Sequence, residues 1–263
     1  MSGPEHAVLV DLRAESEELD ALVAALDADQ WRTPTPAEGW TIAHQIAHLA
    51  WTDERAHRAA TDPERFRAEQ PADAERLAAL VDEAAAAGAR LAPPELLERW
   101  RAGRADLLHA LTTAPAGARV PWYGPPMKVP SLATARIMET WAHGQDVVDA
   151  LGLERAPTRR LRHVAHIGVR TMGFAFSLHD LPVPTEPVRV ELTAPDGELW
   201  TWGPPDAADR VSGPALDFCL LVTQRRHRDD LAVTATGRTA EQWLPIAQAF
   251  AGRPGPGRPS RVA

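Results

Sequence analysis

Glu139 and His143 lie four residues apart within residues 133–150, where the apolar residues recur at helical intervals. At 3.6 residues per turn, both side chains project from one face of the helix. A carboxylate and an imidazole placed in this way can bind one divalent cation from a single rigid element. The same spacing is also common on solvated helix faces, where it has no chemical role. The pair therefore indicates half of a metal site, and the remaining ligand must come from elsewhere.

The best candidates for that ligand are two histidines within residues 40–50. His44 and His48 are again four residues apart, so they share one face of a second predicted helix. If the two helices pack side by side in a bundle, an imidazole from one can meet the Glu139 and His143 pair on the other. The spacing alone does not distinguish His44 from His48.

The elements that must position these side chains are mostly helical in the first part of the chain. Apolar periodicity and helix-forming composition predict helices over residues 5–29, 41–60, 72–90, 95–111 and 133–150. The proline-rich residues 112–130 predict a long loop. Its Trp122, Tyr123 and Met127 either line a pocket or fold back onto the core, and folding back is the favoured interpretation.

The composition changes after residue 155 and predicts a second, α+β domain over residues 156–252. Its predicted helices span residues 158–178, 212–226 and 239–251, and its predicted strands span residues 188–193, 198–202 and 231–236. The first two strands form a hairpin around Pro195-Asp-Gly197. Residues 253–263, rich in proline, glycine and arginine, predict a flexible tail.

The overall composition excludes several classes of protein. A net charge of −8 without a basic stripe disfavours binding to nucleic acid. The single cysteine, Cys219, excludes an intrachain disulfide or a multi-cysteine zinc site, so any metal must be bound by histidines and carboxylates. No apolar run approaches the roughly 20 residues that cross a bilayer, and we expect a soluble, cytoplasmic protein that does not bind membranes.

Three stretches give the chain a resemblance to a known family. Residues 40–50, Trp-Thr-Ile-Ala-His-Gln-Ile-Ala-His-Leu-Ala, resemble the ligand helix of DinB-like metal-binding bundle proteins. Glu139-x-x-x-His143-x-x-Asp146 resembles the second ligand helix of that family. The α+β domain resembles the one found in the branch related to mycothiol-dependent maleylpyruvate isomerase. The resemblance implies an α+β protein with an N-terminal DinB-like four-helix bundle over residues 1–155 and a smaller C-terminal α+β domain.

The resemblance also implies a site and a chemistry. Its metal ligands would be His48, Glu139 and His143. His44 would lie beside the site without binding the metal. Asp146 would either orient His143 or serve only as a capping or surface residue. Three protein ligands leave a position open on the divalent metal, most simply Zn²⁺, for the sulfur of mycothiol. Coordination deprotonates a thiol whose free pKa is about 8.5. Addition of the thiolate to an electrophilic double bond then leads to isomerisation, or to S-conjugation if the adduct persists.

Arginines near residue 225 are the candidate anion-binding residues of the second domain. Arg225 or Arg226 could bind a carboxylate of a small-molecule substrate through two hydrogen bonds. Both could equally be cations favoured at a helix C-terminus. We list them as catalytic candidates by resemblance to the isomerases, which have an arginine nearby.

The other residues of reactive types are predicted to have no chemical role. His163 and His166 are predicted to lie on the surface or in packing contacts, and Cys219 to be a buried apolar residue. Asp53 and Glu54 are predicted to be solvated.

Three functional hypotheses remain open from the sequence. The first is a mycothiol-dependent isomerase or transferase. The second is a thiol-independent metal enzyme, such as a lyase, hydrolase or cyclase acting on a specialised metabolite. The third is a non-catalytic, metal-stabilised protein that binds a ligand. A homodimer is compatible with all three, because many bundles of this type pair through exposed helix faces.

Overall fold

A computed structural model describes residues 4–252, 255 and 257–260. The chain divides into two compact units, residues 1–155 and residues 156–263. The predicted tail, residues 253–263, falls partly outside the described residues. None of the described helices is both long enough and apolar enough to span a membrane.

The first unit is a helical bundle. Its elements are α1 (Pro4–Ala24), α2 (Ile42–Thr61), α3 (Pro63–Ala68), α4 (Ala74–Gly88), α5 (Pro93–Thr113), the two-residue strands β1 (Arg119–Val120) and β2 (Met127–Lys128), and α6 (Val129–Ala150). The four long helices α1, α2, α5 and α6 each pack against two others, and α4 packs on α2. This arrangement confirms the predicted four-helix bundle.

Helices α2 and α6 run antiparallel. Successive contacts join Gln45 to His143, His48 to Glu139, and Asp53 to Arg136, so residue numbers rise along one helix as they fall along the other. Apolar residues of α2, α5 and α6 form the core between them, including Ile46, Leu49 and Trp100, all fully buried. The buried core fixes the register in which the polar residues of the two helices meet.

Two helix starts follow from local sequence. Thr41 is the N-cap of α2. Helix α6 begins at Val129, earlier than the predicted residue 133, because Pro130 lies in the first turn, where its missing N–H group has no intrahelical partner to lose.

The second unit is an α+β domain. Its elements are α7 (Leu161–Arg170), α8 (Met172–Leu178), β3 (Val188–Thr193), β4 (Leu199–Trp202), β5 (Asp209–Pro214), α9 (Ala215–Val222), β6 (Thr234–Thr236) and α10 (Arg238–Trp243). The sheet order is β4-β3-β5-β6. Strands β3 and β5 are parallel, and the other neighbouring pairs are antiparallel. The predicted α+β class and the β3–β4 hairpin are confirmed.

Three predicted elements of this unit are wrong in extent. Residues 209–214 form strand β5, which the sequence analysis missed, so the helix predicted from residue 212 begins only at Ala215. The helix predicted over residues 158–178 is interrupted at Thr171, whose hydroxyl donates to the carbonyl of Gln248 at 2.7 Å. The final helix ends at Trp243 and continues as a short 3₁₀ turn that contains Pro245.

Candidate metal centre

Helices α2 and α6 bring the three predicted ligand residues together. His48 lies within α2, and Glu139 and His143 lie on α6. The Nε2 atoms of His48 and His143 are 3.2 and 3.3 Å from one oxygen of Glu139, Oε2. The two imidazole ring centroids are 4.4 Å apart. Metal binding by these residues stays a prediction.

The spacing of the three side chains fits a tetrahedral cation. Two ligand atoms bound to one zinc ion at about 2.1 Å and at the tetrahedral angle are about 3.4 Å apart. The two measured nitrogen-to-oxygen distances, 3.2 and 3.3 Å, agree with that value. Among the described residues, these three form the one group whose ligand atoms cluster in this way. Two imidazoles and one carboxylate are also the ligands of catalytic zinc sites that keep a fourth position open.

The site is largely enclosed, and its carboxylate is ionised. The side chains of His48, His143 and Glu139 are 9%, 14% and 22% exposed. Burial raises the pKa of Glu139, but the hydrogen bonds and charges of His143 and His48 outweigh burial and hold that pKa well below its usual range. Glu139 is therefore ionised at neutral pH and can neutralise part of the charge of a bound cation.

Trp40 covers the two imidazoles from one side. Its ring lies parallel to that of His143, with the planes 22° apart and the centroids separated by 6.0 Å, and its centroid is 5.5 Å from that of His48. The backbone carbonyl of Trp40 accepts hydrogen bonds from the N–H and hydroxyl of Thr35 at 2.8 and 2.9 Å. The backbone of Trp40 is thus held in the loop before α2, and its indole packs beside both imidazoles.

His44 has a structural role at the start of α2. Its Nδ1 accepts a hydrogen bond from the backbone N–H of Thr41 at 3.2 Å and lies 2.8 Å from the Thr41 hydroxyl. Burial lowers the pKa of His44, which favours the neutral ring that can accept. His44 therefore completes the cap of the helix.

Gln45 is a residue of the site that sequence analysis missed. It is fully buried, and its Oε1 lies 2.5 Å from Nδ1 of His143. A polar amide among the apolar residues Ile42, Ile46 and Leu49 of α2 was the available signal. Its partner could not be identified, because the facing residue lies far away in sequence.

The predicted solvation of Asp53 is wrong. Asp53 is 4% exposed and accepts hydrogen bonds from Arg136 Nε at 2.9 Å and Trp100 Nε1 at 3.2 Å. Arg136 also donates to the hydroxyl of Thr52 at 2.8 Å. Burial raises the pKa of Asp53, and the positive charge of Arg136 opposes the shift. Since Arg136 lies one turn before Glu139 on α6, this buried ion pair also links α6 to α2 beside the site.

The remaining candidates of the first unit are structural. Trp122 and Tyr123 pack on Phe66 with centroids 5.8 and 5.3 Å away, and Met127 packs against the same core, so these side chains fold back as favoured. Glu54 forms a surface ion pair with Arg99.

Local contacts and burial account for His166 and Cys219 in the second unit. His166 Nδ1 accepts from the indole N–H of Trp202 at 3.2 Å. Cys219 is fully buried, and burial raises its pKa well above the usual value, so a thiolate is disfavoured.

Arg225 and Arg226 follow the end of α9. Gln224 adopts a left-handed conformation with φ of 58°, and the N–H groups of Gln224 and Arg225 donate to the carbonyls of Leu221 and Leu220. This pattern is a Schellman motif, which ends the helix. Side-chain Nη1 atoms of the two arginines donate to the carbonyls of Thr223 and Arg225 at 2.6 and 2.7 Å. A role for Arg225 or Arg226 in binding a carboxylate stays a prediction.

A separate groove of about 480 Å³ lies between α1 and α5. It contains Asp53, Arg101 and Arg104 but none of the three candidate ligands. Its Arg101 and Arg104 are both paired with Asp20. These cations are therefore occupied within the fold, and the cluster on α2 and α6 remains the candidate site.

Comparison with family models gives two matches. Residues 12–148, just over half of the chain, match the model described as the mycothiol maleylpyruvate isomerase N-terminal domain. Residues 184–236 match the model described as wyosine base formation. The first match contains all three candidate ligands, and the second covers the sheet of the second unit.

Comparison with individual proteins gives matches over most of the chain. Two Mycobacterium tuberculosis proteins, from strains CDC 1551 / Oshkosh and ATCC 25618 / H37Rv, are described as uncharacterized and are each 56% identical over 250 residues. These alignments cover 95% of this chain and 97% of each relative. The crystal structures of mycothiol-dependent maleylpyruvate isomerase and of a histidine-to-alanine mutant of it align with a TM-score of 0.62 at 21% and 20% identity. They cover 89% of this chain and 93% of theirs, and they establish the fold.

Proposed function

Because the chain belongs to the mycothiol maleylpyruvate isomerase N-terminal domain family, we propose that it is a metal-dependent, mycothiol-using isomerase of a small electrophilic substrate. The single observation that carries the proposal is the convergence of His48 and His143 on one oxygen of Glu139. The proposed reaction class is cis–trans isomerisation by reversible addition of a thiol to an activated double bond.

The ligand set supports zinc as the cation. Imidazole nitrogen and carboxylate oxygen are preferred zinc ligands, and three protein ligands leave a position for a thiol or water. A bound divalent cation would lower the pKa of that thiol into the neutral range. Glu139 contributes one negative charge and the imidazoles none, so a cation held here keeps a net positive charge that attracts a thiolate.

The protein's own side chains define how a substrate would approach. Trp40 packs over one side of the imidazoles. The Arg136 and Asp53 ion pair holds α6 against α2, which keeps Glu139 opposite His48. Arg225 and Arg226 are proposed to bind a substrate carboxylate, since guanidinium groups match carboxylate geometry.

The decisive experiment measures metal content and thiol dependence together. We expect the purified protein to bind one Zn²⁺ and to isomerise maleylpyruvate only when mycothiol is added. His48→Ala should lose both properties, because it removes one of three ligands. The matched control is His44→Gln, which replaces a histidine one turn away on the same face and preserves a side-chain acceptor for the helix cap.

Two outcomes would contradict the proposal in different ways. Equal metal content in the wild-type protein and His48→Ala would show that His48 is not a ligand and would refute the proposed metal site. Turnover without any low-molecular-weight thiol would support the thiol-independent enzyme instead. Location in the cytoplasm and pairing as a homodimer stay predictions, which cell fractionation and light scattering would test.

A further inference from the structure

Gln45 connects one ligand histidine to the loop before α2. Its side chain is fully buried, with Oε1 directed at Nδ1 of His143 and Nε2 directed at Oγ1 of Thr35. The second contact measures 2.9 Å, and the Thr35 hydroxyl in turn donates to the carbonyl of Trp40 at 2.9 Å. A chain of hydrogen bonds thus runs from the Trp40 backbone to His143.

This chain fixes the direction of every hydrogen bond in it. A carbonyl can only accept, so the single hydrogen of the Thr35 hydroxyl points to Trp40. The Thr35 oxygen must then accept from the amide nitrogen of Gln45, which places the amide oxygen toward His143. Since that oxygen can only accept, Nδ1 of His143 must carry a proton.

Protonation at Nδ1 has a direct consequence for the other nitrogen of His143. In the neutral ring, Nε2 then holds a lone pair, and this atom lies 3.3 Å from Oε2 of Glu139. Two electron pairs facing each other at that distance repel, so Nε2 binds either a proton, which it then donates to Glu139 as an imidazolium, or a metal cation that takes the place of this proton. Without the Gln45 oxygen, the opposite tautomer would allow Nε2–H to donate to Glu139 and would occupy the lone pair that a metal requires.

We propose that Gln45 is a positioning residue that fixes the Nδ1–H tautomer and the ring orientation of His143, and so prepares Nε2 for a cation. The inference rests on the metal site of the proposed function. Groups that hydrogen-bond to metal-bound histidines typically contribute 10- to 100-fold to metal affinity.

The effect is specific to one of the two histidines. Nδ1 of His48 is buried and has no hydrogen-bond partner among the described residues. Gln45 therefore acts on His143 alone, and the tautomer of His48 serves as an internal reference in the same protein.

The test combines metal affinity with the tautomer of His143. Gln45→Met keeps an unbranched side chain but removes both hydrogen bonds, and Gln45→Glu keeps an acceptor for His143. We expect Gln45→Met to bind Co²⁺, measured by its visible absorption, about 10- to 100-fold more weakly. Gln45→Glu should bind within about threefold of wild type or more tightly, as in carboxylate–histidine–zinc arrangements. ¹⁵N NMR of the metal-free proteins, recorded at a pH high enough for a neutral His143 ring, should show the proton on Nδ1 in the wild type and on Nε2 in Gln45→Met.

Further variants separate positioning from simple stabilisation. Thr35→Val removes the hydroxyl that accepts from the Gln45 amide and donates to Trp40, but it keeps the Gln45 oxygen beside His143. It should therefore weaken Co²⁺ binding less than Gln45→Met. His44→Gln should leave binding unchanged. A role in stability alone would lower the melting temperature of the metal-free protein and leave the tautomer and the Co²⁺ affinity unaltered, which would overturn the inference.

The outcomes also distinguish this inference from the proposed function. If wild type binds Co²⁺, His48→Ala does not, and Gln45→Met equals wild type, the inference fails and the metal site stands. If wild type and His48→Ala bind alike, the metal site fails. The NMR result then decides whether Gln45 still fixes the tautomer of His143.

Discussion

Arginines lower the pKa of several carboxyl groups in this protein. Glu69 shows this most clearly, because Arg55, Arg58 and Arg65 all donate to its carboxylate at 2.6 to 2.8 Å. Hydrogen bonds from Arg55, then from Arg65 and Arg58, lower its pKa from 4.5 to about 2. These ion pairs join α2 to the end of α3. Protonation of Glu69 would therefore weaken the contact between the two helices.

The depressed pKa of Glu69 predicts a pH-dependent loss of stability. A carboxyl group whose pKa is lower in the folded than in the unfolded state stabilises the fold above the unfolded pKa. That contribution falls as the pH drops from about 4.5 toward about 2. Urea unfolding between pH 7 and pH 3 should show a smaller loss of stability in Glu69→Gln than in wild type. Glu64→Gln, a substitution of the same kind within α3, is the matched control, and equal pH dependence in Glu69→Gln and wild type would contradict the prediction.

Sequence analysis could identify ligand types at the residue scale but not their buried partners. His48, Glu139 and His143 carry a short-range signal, since each histidine or carboxylate has a neighbour at helical spacing and a family motif around it. Asp53 has no such signal, and Gln45 has only its place as a polar residue among apolar ones. Their environments depend on Arg136, Trp100 and His143, which lie far away in the chain and reach them only after the bundle has formed.

At the scale of elements, close packing of α4 on α2 depends on a glycine. A Cβ atom added at Gly88 would lie 2.6 Å from the Cβ of Ala47, well inside contact distance. We expect Gly88→Ala to lower the free energy of unfolding by about 1–3 kcal/mol, the usual cost of overpacking, measured by denaturant titration. The higher helix propensity of alanine offsets up to about 1 kcal/mol of this cost.

A compensating variant tests whether the steric contact is the cause. Ala47→Gly removes the atom that the new methyl group would meet, so the double variant Ala47→Gly/Gly88→Ala should be more stable than the sum of the two single effects predicts. Strictly additive effects would show that Gly88 acts through another contact.

The elements that sequence analysis predicted best are the long amphipathic helices, because their apolar periodicity reports burial directly. Strand β5 was missed because residues 209–214 offer a single large apolar residue, Val211, and end in glycine and proline. The strand exists because β3 and β6 flank it on both sides. Gly213 allows a close approach there, since a Cβ atom would lie 2.7 Å from the carbonyl oxygen of Ala232. Strand β5 therefore forms because of its pairing with β3 and β6, which a local sequence pattern does not reveal.

At the scale of the whole molecule, metal binding should raise the stability of the folded protein. A ligand that binds only the folded state at 100 times its Kd stabilises that state by about 2.7 kcal/mol. For a unit of this size, that corresponds to a rise in Tm of roughly 5–10 °C. Calorimetry with excess Zn²⁺ and with a chelator should show this difference in wild type and His44→Gln. A shift of the same size in His48→Ala would contradict the assignment of the ligands.

All three proposed ligands come from α2 and α6, and residues 62–128, which join these helices, supply none. Lengthening or shortening the connections at residues 69–73 or 114–118 would therefore change the surface and leave the ligands in place. One residue inserted between Glu139 and His143 would instead rotate the imidazole by about 100° around the helix axis. Loop length can therefore change without moving the ligands, whereas the interval between Glu139 and His143 in α6 admits no inserted residue.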